Sequence, residues 1–494
     1  MMPNKLNRRA FMGTAAATAF AATSVAPTSA KDAYSGLDAI AQAALVRERQ
    51  TTALELVDAA IARIEAVNPR TDAVVAEYFD KARAQAKSSL PRGPLSGMPY
   101  LIKDLVPIKG EITTSGSRLM ARHIGETTGL MPQKAIDSGM IVVGKTNTPE
   151  FGLLATTEGL LLGAAHNPWN LDYSTGGSSG GAAAAVASGM LPVAHASDGG
   201  GSIRIPASCC GVFGLKPSRG RMDFGAKEKM PGDIAVENCV SRTVRDSAMI
   251  FALSEDVSPK AAFKPTGFVG GPSKRRLKIA FGTLSYYGAE PDPDVKTAVE
   301  ATAKLCQSLG HTIVEAKNPV QGEAFIDAFL TVWASGPAQL VALARSLKLK
   351  PEDVLEPWTL GLADYYAKKP KDALAKSLAY FRTVEKATDA FLAQYDAWLT
   401  PVLASPPPRL GEQAPTVPFD TLYARVTRYV AYTPLHNVAG TPAMSVPLGM
   451  SKDGLPIGSQ FAAAKGGEGL LYALAYELEQ AQPWAGKRAP VWAG

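Results

Sequence analysis

Two serines, Ser178 and Ser202, stand 24 positions apart in glycine-rich segments, GGSSGG at Gly176 to Gly181 and DGGGSIRIP at Asp198 to Pro206. Upstream, Lys103 follows the apolar run Tyr100, Leu101, Ile102 in GMPYLIKD. Glycine at this density lets backbone N–H groups come close to a reacting atom, because no Cβ intervenes and positive φ is allowed. A serine hydroxyl attacks a carbonyl only once a base has taken its proton. A lysine set among apolar residues is desolvated, which lowers its pKa and leaves a neutral amine able to accept that proton. The three residues therefore suit attack on a carbonyl carbon without histidine. The expected relay runs from Ser202 through Ser178 to Lys103, with N–H groups around Gly199, Gly200, Gly201 and Ser202 holding the oxyanion. One such donor is worth about 3 kcal/mol in the transition state.

Periodicity indicates the elements that must position these groups. Between Gly181 and Gly189 the chain is almost pure alanine, the best helix former. A helix is thus expected at the end of GGSSGG, with Ser178 and Ser179 at its positive N-terminal end. Leu191 to Ala194 reads as a strand running into Gly199, Gly200 and Gly201, so that Ser202 follows a sharp turn beyond the strand end. Met140 to Val143, ended by Gly144, and Leu277 to Phe281 are further short β-type runs. Thr52 and Glu55 make a capping-box pattern, after which Val57, Ala60, Ile61 and Ile64 recur at helical spacing until Asn68 and Pro69 stop the run. The stripe Val295, Ala298, Val299, Thr302, Cys306, Leu309 predicts a helix over 293–309. Residues 255–276 carry Pro, Gly, Ser and Lys without period and read as a surface connection dividing a catalytic part from a C-terminal part. Residues 330–435 are aromatic-rich and poorly periodic, while PAMSVPLGM, PIGSQFAAA and 469–480 return to strand and helix patterns. Strands alternating with helices predict an α/β fold, a mixed β-sheet core covered by helices.

The 494 residues, 46% apolar and 19% charged with 45 Gly and 36 Pro, suit a globular α/β chain with a large core and many loops. Residues 1–30 place Lys5, Arg8 and Arg9 before a mildly apolar stretch that ends in Thr28, Ser29 and Ala30. This predicts an export signal of the twin-arginine type and a periplasmic or secreted protein, with residues 31–494 as the mature domain. Removing that leader takes away three positive charges, so the balance falls from +6 to +3 (48 minus 45). No basic tract remains for nucleic acid, Lys274 to Arg276 read as a solvated loop, and no stable membrane anchor is left. Cys209, Cys210, Cys239 and Cys306 show no metal-ligand spacing and no disulfide framework, and Cys209, Cys210 and Cys306 read as core residues. His123, His166, His195 and His311 are scattered without HxH or HExxH spacing. No metal or cofactor is expected, and His195 reads as a satisfied, partly buried side chain.

Taken singly, a lysine after an apolar run commonly snorkels and GGSSGG is commonly a flexible turn. In the order Lys, Ser, Ser, however, the chain resembles the amidase signature family. The resemblance is carried by GMPYLIKD, VVGKTNTPEFG, NPWNLDYSTGGSSGGAAAAVASG and SDGGGSIRIPASCCGVFGLKPSRGR, and it extends from about residue 36 to the C-terminus. It implies a single α/β/α domain on a mixed sheet that hydrolyses amides. Ser202 would be the acyl-forming nucleophile, Ser178 the bridging serine in a cis peptide, and Lys103 the base. Gly199, Gly200 and Gly201 would form the oxyanion loop, supported by Asp198, Arg204 and Ser179. Gly199 stands where many members have isoleucine. VAHASDGGGSIRIPAS and GAAHNPWN further resemble a subgroup, the bacterial 6-aminohexanoate cyclic dimer hydrolases. Substrate choice is expected from residues 221–240 and 330–435. The expected partner is a small-molecule amide, and a homodimer is compatible with this reading.

Three other readings compete with this one. An α/β-hydrolase would centre G-x-S-x-G on Ser179, but NPWNLDYST reads as non-strand, the glycines follow the serine, and His436 is the only late histidine. A glutamine-cleaving subunit of a tRNA-dependent amidotransferase is opposed by the export signal. A silent amide-binding protein is opposed by retention of Lys103, Ser178 and Ser202.

Overall fold

The capping box forms as its sequence dictates: the Thr52 hydroxyl accepts from Glu55 N–H, and the Glu55 carboxylate accepts from Thr52 N–H, opening the helix Ala53–Thr71. Pro69 lies within this helix and does not stop it. In the last turn a proline forfeits only one hydrogen bond, a loss offset by the helix's buried face, and the chain turns at Asp72, left-handed at φ 45°. Val57, Ala60, Ile61, Ile64 and Val67 share a core with the alanines of helix Gly180–Ala187, every residue of which is buried. Small side chains allow that close approach.

This computed structural model describes residues 32–222, 233–320 and 322–494, and residues 33–494 form one compact unit. The leader expected at residues 1–30 lies outside the described residues. Eleven strands carry the architecture: β1 Val74–Glu77, β2 Pro99–Lys103, β3 Ile141–Thr146, β4 Val193–Asp198, β5 Phe213–Lys216, β6 Val236–Ser241, β7 Lys278–Phe281, β8 Thr312–Glu315, β9 Ala397–Pro401, β10 Ala443–Met450 and β11 Pro456–Ala462. Eight of them form one sheet in the order β8-β7-β9-β11-β10-β5-β6-β4, and three form a second in the order β1-β3-β2. β7 is parallel to β8 and β9, whereas β4, β5, β6, β10 and β11 pair antiparallel. The sheet is mixed, as expected.

Alternate residues of one strand face different helices, which is the period-two signature of a sheet covered on both sides. Ile279 and Leu399 join a core with helices Pro293–Ser308 and Glu468–Ala481, while their neighbours Ala280 and Trp398 join a core with helices Glu323–Ser346 and Ala373–Leu392. The result is an α/β/α layering. β4 to β6 precede residues 255–276 and β7 to β11 follow them, yet all eight share one sheet. That connection therefore does not divide the chain into two parts, and buried Glu255 ties it down by accepting from Thr266 and Gly267 N–H.

Other boundaries move for identifiable reasons. Gly144 lies inside β3 instead of ending it: a Cβ there would come 2.2 Å from the Ala76 carbonyl oxygen, so glycine is what lets β1 pair. β4 begins at Val193 and runs to Asp198, because its polar residues His195 and Ser197 belong to the strand. The unpatterned stretch 330–435 is largely helical, containing most of Glu323–Ser346 and all of Pro357–Ala367, Ala373–Leu392 and Phe419–Tyr429. Its apolar residues pack on several sides and so lose a single stripe. The four cysteines are buried and unpaired.

Candidate active site

Lys103 ends β2 beside β4, its backbone N–H donating to His195 Nδ1 at 3.3 Å. Its side chain is fully buried, and Nζ donates to Ser178 Oγ at 2.7 Å and to Ser197 Oγ at 3.1 Å. Burial pushes its pKa down to about 7, against the opposing pull of the Asp198 and Glu237 carboxylates. A large share of the amine is thus neutral near neutral pH, which is what a proton acceptor requires.

Ser178 follows a cis peptide from Gly177, immediately before helix Gly180–Ala187. Gly152 gives it room: a Cβ at that position would stand 3.0 Å from Ser178 Oγ and 2.8 Å from Leu105. Ser179 is the N-cap, and its hydroxyl donates to Ser197 carbonyl at 3.2 Å and accepts from Ser197 N–H at 3.3 Å. It fastens the helix start to β4.

Beyond β4 the chain makes the glycine turn. Asp198 Oδ1 accepts from Gly201 N–H at 2.8 Å, and Oδ2 accepts from Ile203 N–H at 3.2 Å. Arg204 grips both oxygens, and its remaining donors go to Gln460, Asn437 and the Thr433 carbonyl. Burial alone would raise the Asp198 pKa, but the guanidinium outweighs it and holds the acid near 2. The Gly201 amide, expected to face the oxyanion, is instead committed to Asp198. Among the described residues, the N–H groups of Gly199, Gly200 and Ser202 have no acceptor, and Gly200 and Ser202 line a pocket of about 60 Å3. Donors placed in this way beside a hydroxyl are suited to hold an anion.

The structure thus gathers Lys103, Ser178, Ser179 and Asp198 around the ends of β2 and β4, with Ser202 in the turn that follows. The described hydrogen bonds join Lys103 to Ser178 but do not extend to Ser202 Oγ. Sequence reading missed Ser197, whose place two residues after His195 puts it on the same strand face. It also missed Asn437, which donates to Asp198 Oδ1 at 2.8 Å across 239 positions; no local signal could reveal that. His195 is fully buried and bonded at both nitrogens, its Nε2 meeting Glu237 at 3.2 Å.

Contrary to the non-strand pattern of NPWNLDYST, Asn170–Ser174 is a short strand paired antiparallel with His166–Asn167, so the absence of a strand there does not count against an α/β-hydrolase. What opposes that reading is His436. It is buried on helix Pro434–Ala439, hydrogen-bonded to Thr441 Oγ1 at 3.0 Å and packed edge-on to Trp398, and burial drives its pKa well below the usual imidazole value.

An amine buried against a hydroxyl, on a mixed α/β sheet and beside a turn with amides that meet no acceptor among the described residues, is an arrangement suited to hydrolysis without histidine. The Amidase family profile matches residues 55–472, and the chain belongs to the amidase signature family, whose members are carbon–nitrogen hydrolases. It is 38% identical over 463 residues to a putative amidase, AmiC, of Mycobacterium tuberculosis, covering 93% of this chain and 97% of that one. It is 36% identical over 483 residues to the 6-aminohexanoate-cyclic-dimer hydrolase of Paenarthrobacter ureafaciens, covering 91% and 96%. A 6-aminohexanoate cyclic dimer hydrolase solved with substrate superposes with a TM-score of 0.86 at 33% identity, covering 93% of this chain and 99% of that one. A bacterial aryl acylamidase of the same family gives 0.81 at 28%, covering 91% and 97%.

Proposed function

We propose that this amidase cleaves a small-molecule amide through an acyl-enzyme, with Ser202 as nucleophile, Ser178 as proton relay and Lys103 as base. Ser202 Oγ adds to the carbonyl carbon while its proton passes to Ser178 and the Ser178 proton passes to neutral Lys103. Collapse breaks the C–N bond, and the same relay returns a proton to the departing amine. Water then attacks the acyl-enzyme, losing its proton along that path, and the acid leaves. Gly199, Gly200 and Ser202 N–H are the proposed oxyanion donors, with Gly201, Asp198 and Arg204 holding their turn.

The observation that carries this reading is the 2.7 Å contact between a fully buried lysine and Ser178. Free enzymes commonly hold catalytic hydrogen bonds loosely until substrate is bound, so the relay closes when the Ser202 hydroxyl turns to Ser178. Likeness to the 6-aminohexanoate cyclic dimer hydrolases supports a cyclic or linear oligoamide as substrate. The test is mass spectrometry after treatment with a fluorophosphonate: a single adduct on Ser202, absent from Ser202→Ala, is expected. An adduct on Ser179 would overturn the assignment. The leader residues Lys5, Arg8 and Arg9 support export by the twin-arginine route; fractionation of cells carrying an Arg8→Lys, Arg9→Lys pair should then retain the protein inside.

A further inference from the structure

Helix Glu323–Ser346 brings Phe325, Phe329 and Trp333 to one face at four-residue spacing, and their rings stack in sequence at 6.4 and 5.6 Å with interplanar angles of 23°. The end of this stack rests on the glycine turn. A Cβ at Gly200 would lie 3.1 Å from Phe329 Cζ, and one at Gly199 would lie 3.1 Å from Trp333 Cζ3. Glycine at both positions is therefore what lets the two rings seat against the turn, and an isoleucine at 199 would push Trp333 away.

Phe329 and Trp333 form one wall of the pocket that contains Ser202, and Ile326, Leu330 and Trp358 continue it. Among its described lining residues none is charged. Two of the few polar groups are already committed, since Tyr286 Oη donates to the Val430 carbonyl and Thr427 Oγ1 to the Tyr423 carbonyl. Among the described lining residues an ammonium brought here would meet no carboxylate, a carboxylate would meet only the turn amides of Gly200 and Ser202 that the scissile carbonyl itself needs, and an apolar group would leave water favourably.

We infer that this pocket selects uncharged, apolar amides, and that Phe329 and Trp333, seated on Gly199 and Gly200, are its specificity-determining residues. The inference rests on Ser202 being the nucleophile at the pocket floor. It admits cyclic amides and N-acyl amides with aliphatic or aromatic groups. It excludes amides that carry a charge within a few bonds of the scissile carbonyl, such as glutamine.

The test uses the rate at which a small fluorophosphonate labels the full chain, slowed by competing amides, so the readout does not depend on turnover. Two matched sets are compared: butanoyl anilide against its 4-ammonio counterpart and succinyl anilide, and acetyl propylamide against its 3-ammonio counterpart and N-acetyl-β-alanine. The neutral member should protect at a concentration at least a hundredfold lower than the charged members in one set or both, and Trp333→Ala should narrow that gap at least tenfold. Equal protection by charged and neutral members in both sets, with Ser202 still labelled, would overturn this inference alone. Failure of the wild-type chain to label at Ser202 would overturn the nucleophile assignment beneath it.

Discussion

Asp198 and Arg204, six residues apart in the chain, form a wholly buried pair, with Oδ1 to Nη2 at 2.9 Å and Oδ2 to Nε at 3.0 Å. The same carboxylate holds Gly201 N–H, so the pair sets the turn that carries Ser202. Removing one partner of such a pair strands the other charge, at about 3–5 kcal/mol. Asp198→Asn is therefore expected to lower unfolding stability at neutral pH by that order, measured by urea denaturation. Because Arg204 holds the acid near 2 in the fold, below its ordinary 3.8, the pair's contribution is present above 3.8 and is lost as pH falls toward 2. A loss under about 1 kcal/mol, within the range of ordinary substitutions, would mean that the turn stands without the pair.

If the reactive form contains neutral Lys103, then kcat/KM rises with pH through a midpoint near 7 and levels off above it, following the lowered pKa of the buried amine. Lys103→Ala should lose amide hydrolysis by several orders of magnitude at every pH while keeping its far-ultraviolet circular dichroism. A wild-type profile flat between about pH 5 and 9 would remove the lysine from the proton path.

His436→Ala should leave hydrolysis within tenfold of wild type, since the imidazole is spent on Thr441 and Trp398. A triad histidine would instead be worth on the order of a millionfold in kcat. Steady-state kinetics on any accepted amide separates the two.

The chemistry was more legible in this sequence than the framework. Ser178, Ser202 and Lys103 stand in segments whose glycines and apolar flanks have local causes, and local causes leave local patterns. The Ala-rich helix and the Thr52–Glu55 cap were readable for the same reason. What escaped depends on distant partners. Asn437 reaches Asp198 from 239 residues away, and Gly144 looked like a strand end because its reason for being glycine is the Ala76 carbonyl on another strand. The helices in 330–435 lacked a readable stripe because Leu330, Trp333, Trp358 and Val426 face a pocket while other faces pack on neighbouring helices. The expected division at 255–276 failed because sheet order is set by pairing, which composition does not record.

Burying Lys103 has a thermodynamic consequence separate from catalysis. The unfolded chain holds that proton up to the ordinary value of 10.5, whereas the folded chain releases it near 7. Between those values the unfolded state binds more protons at this residue, so the Lys103 contribution to stability rises with pH across the window, by up to about 1.4 kcal/mol per pH unit. Below 7 both states are protonated, and the fold bears the full cost of a buried ammonium. Lys103→Met keeps comparable reach, removes the charge, and gives up the bonds to Ser178 and Ser197. The variant should thus be more stable than wild type below pH 7, with an advantage that shrinks as pH approaches 10.5. Urea midpoints of both proteins across that window provide the measurement, since every other titrating group is common to the pair and cancels. A stability difference that stayed constant with pH would mean that Lys103 keeps an ordinary pKa in the fold, and the buried amine would then have no neutral population with which to accept a proton.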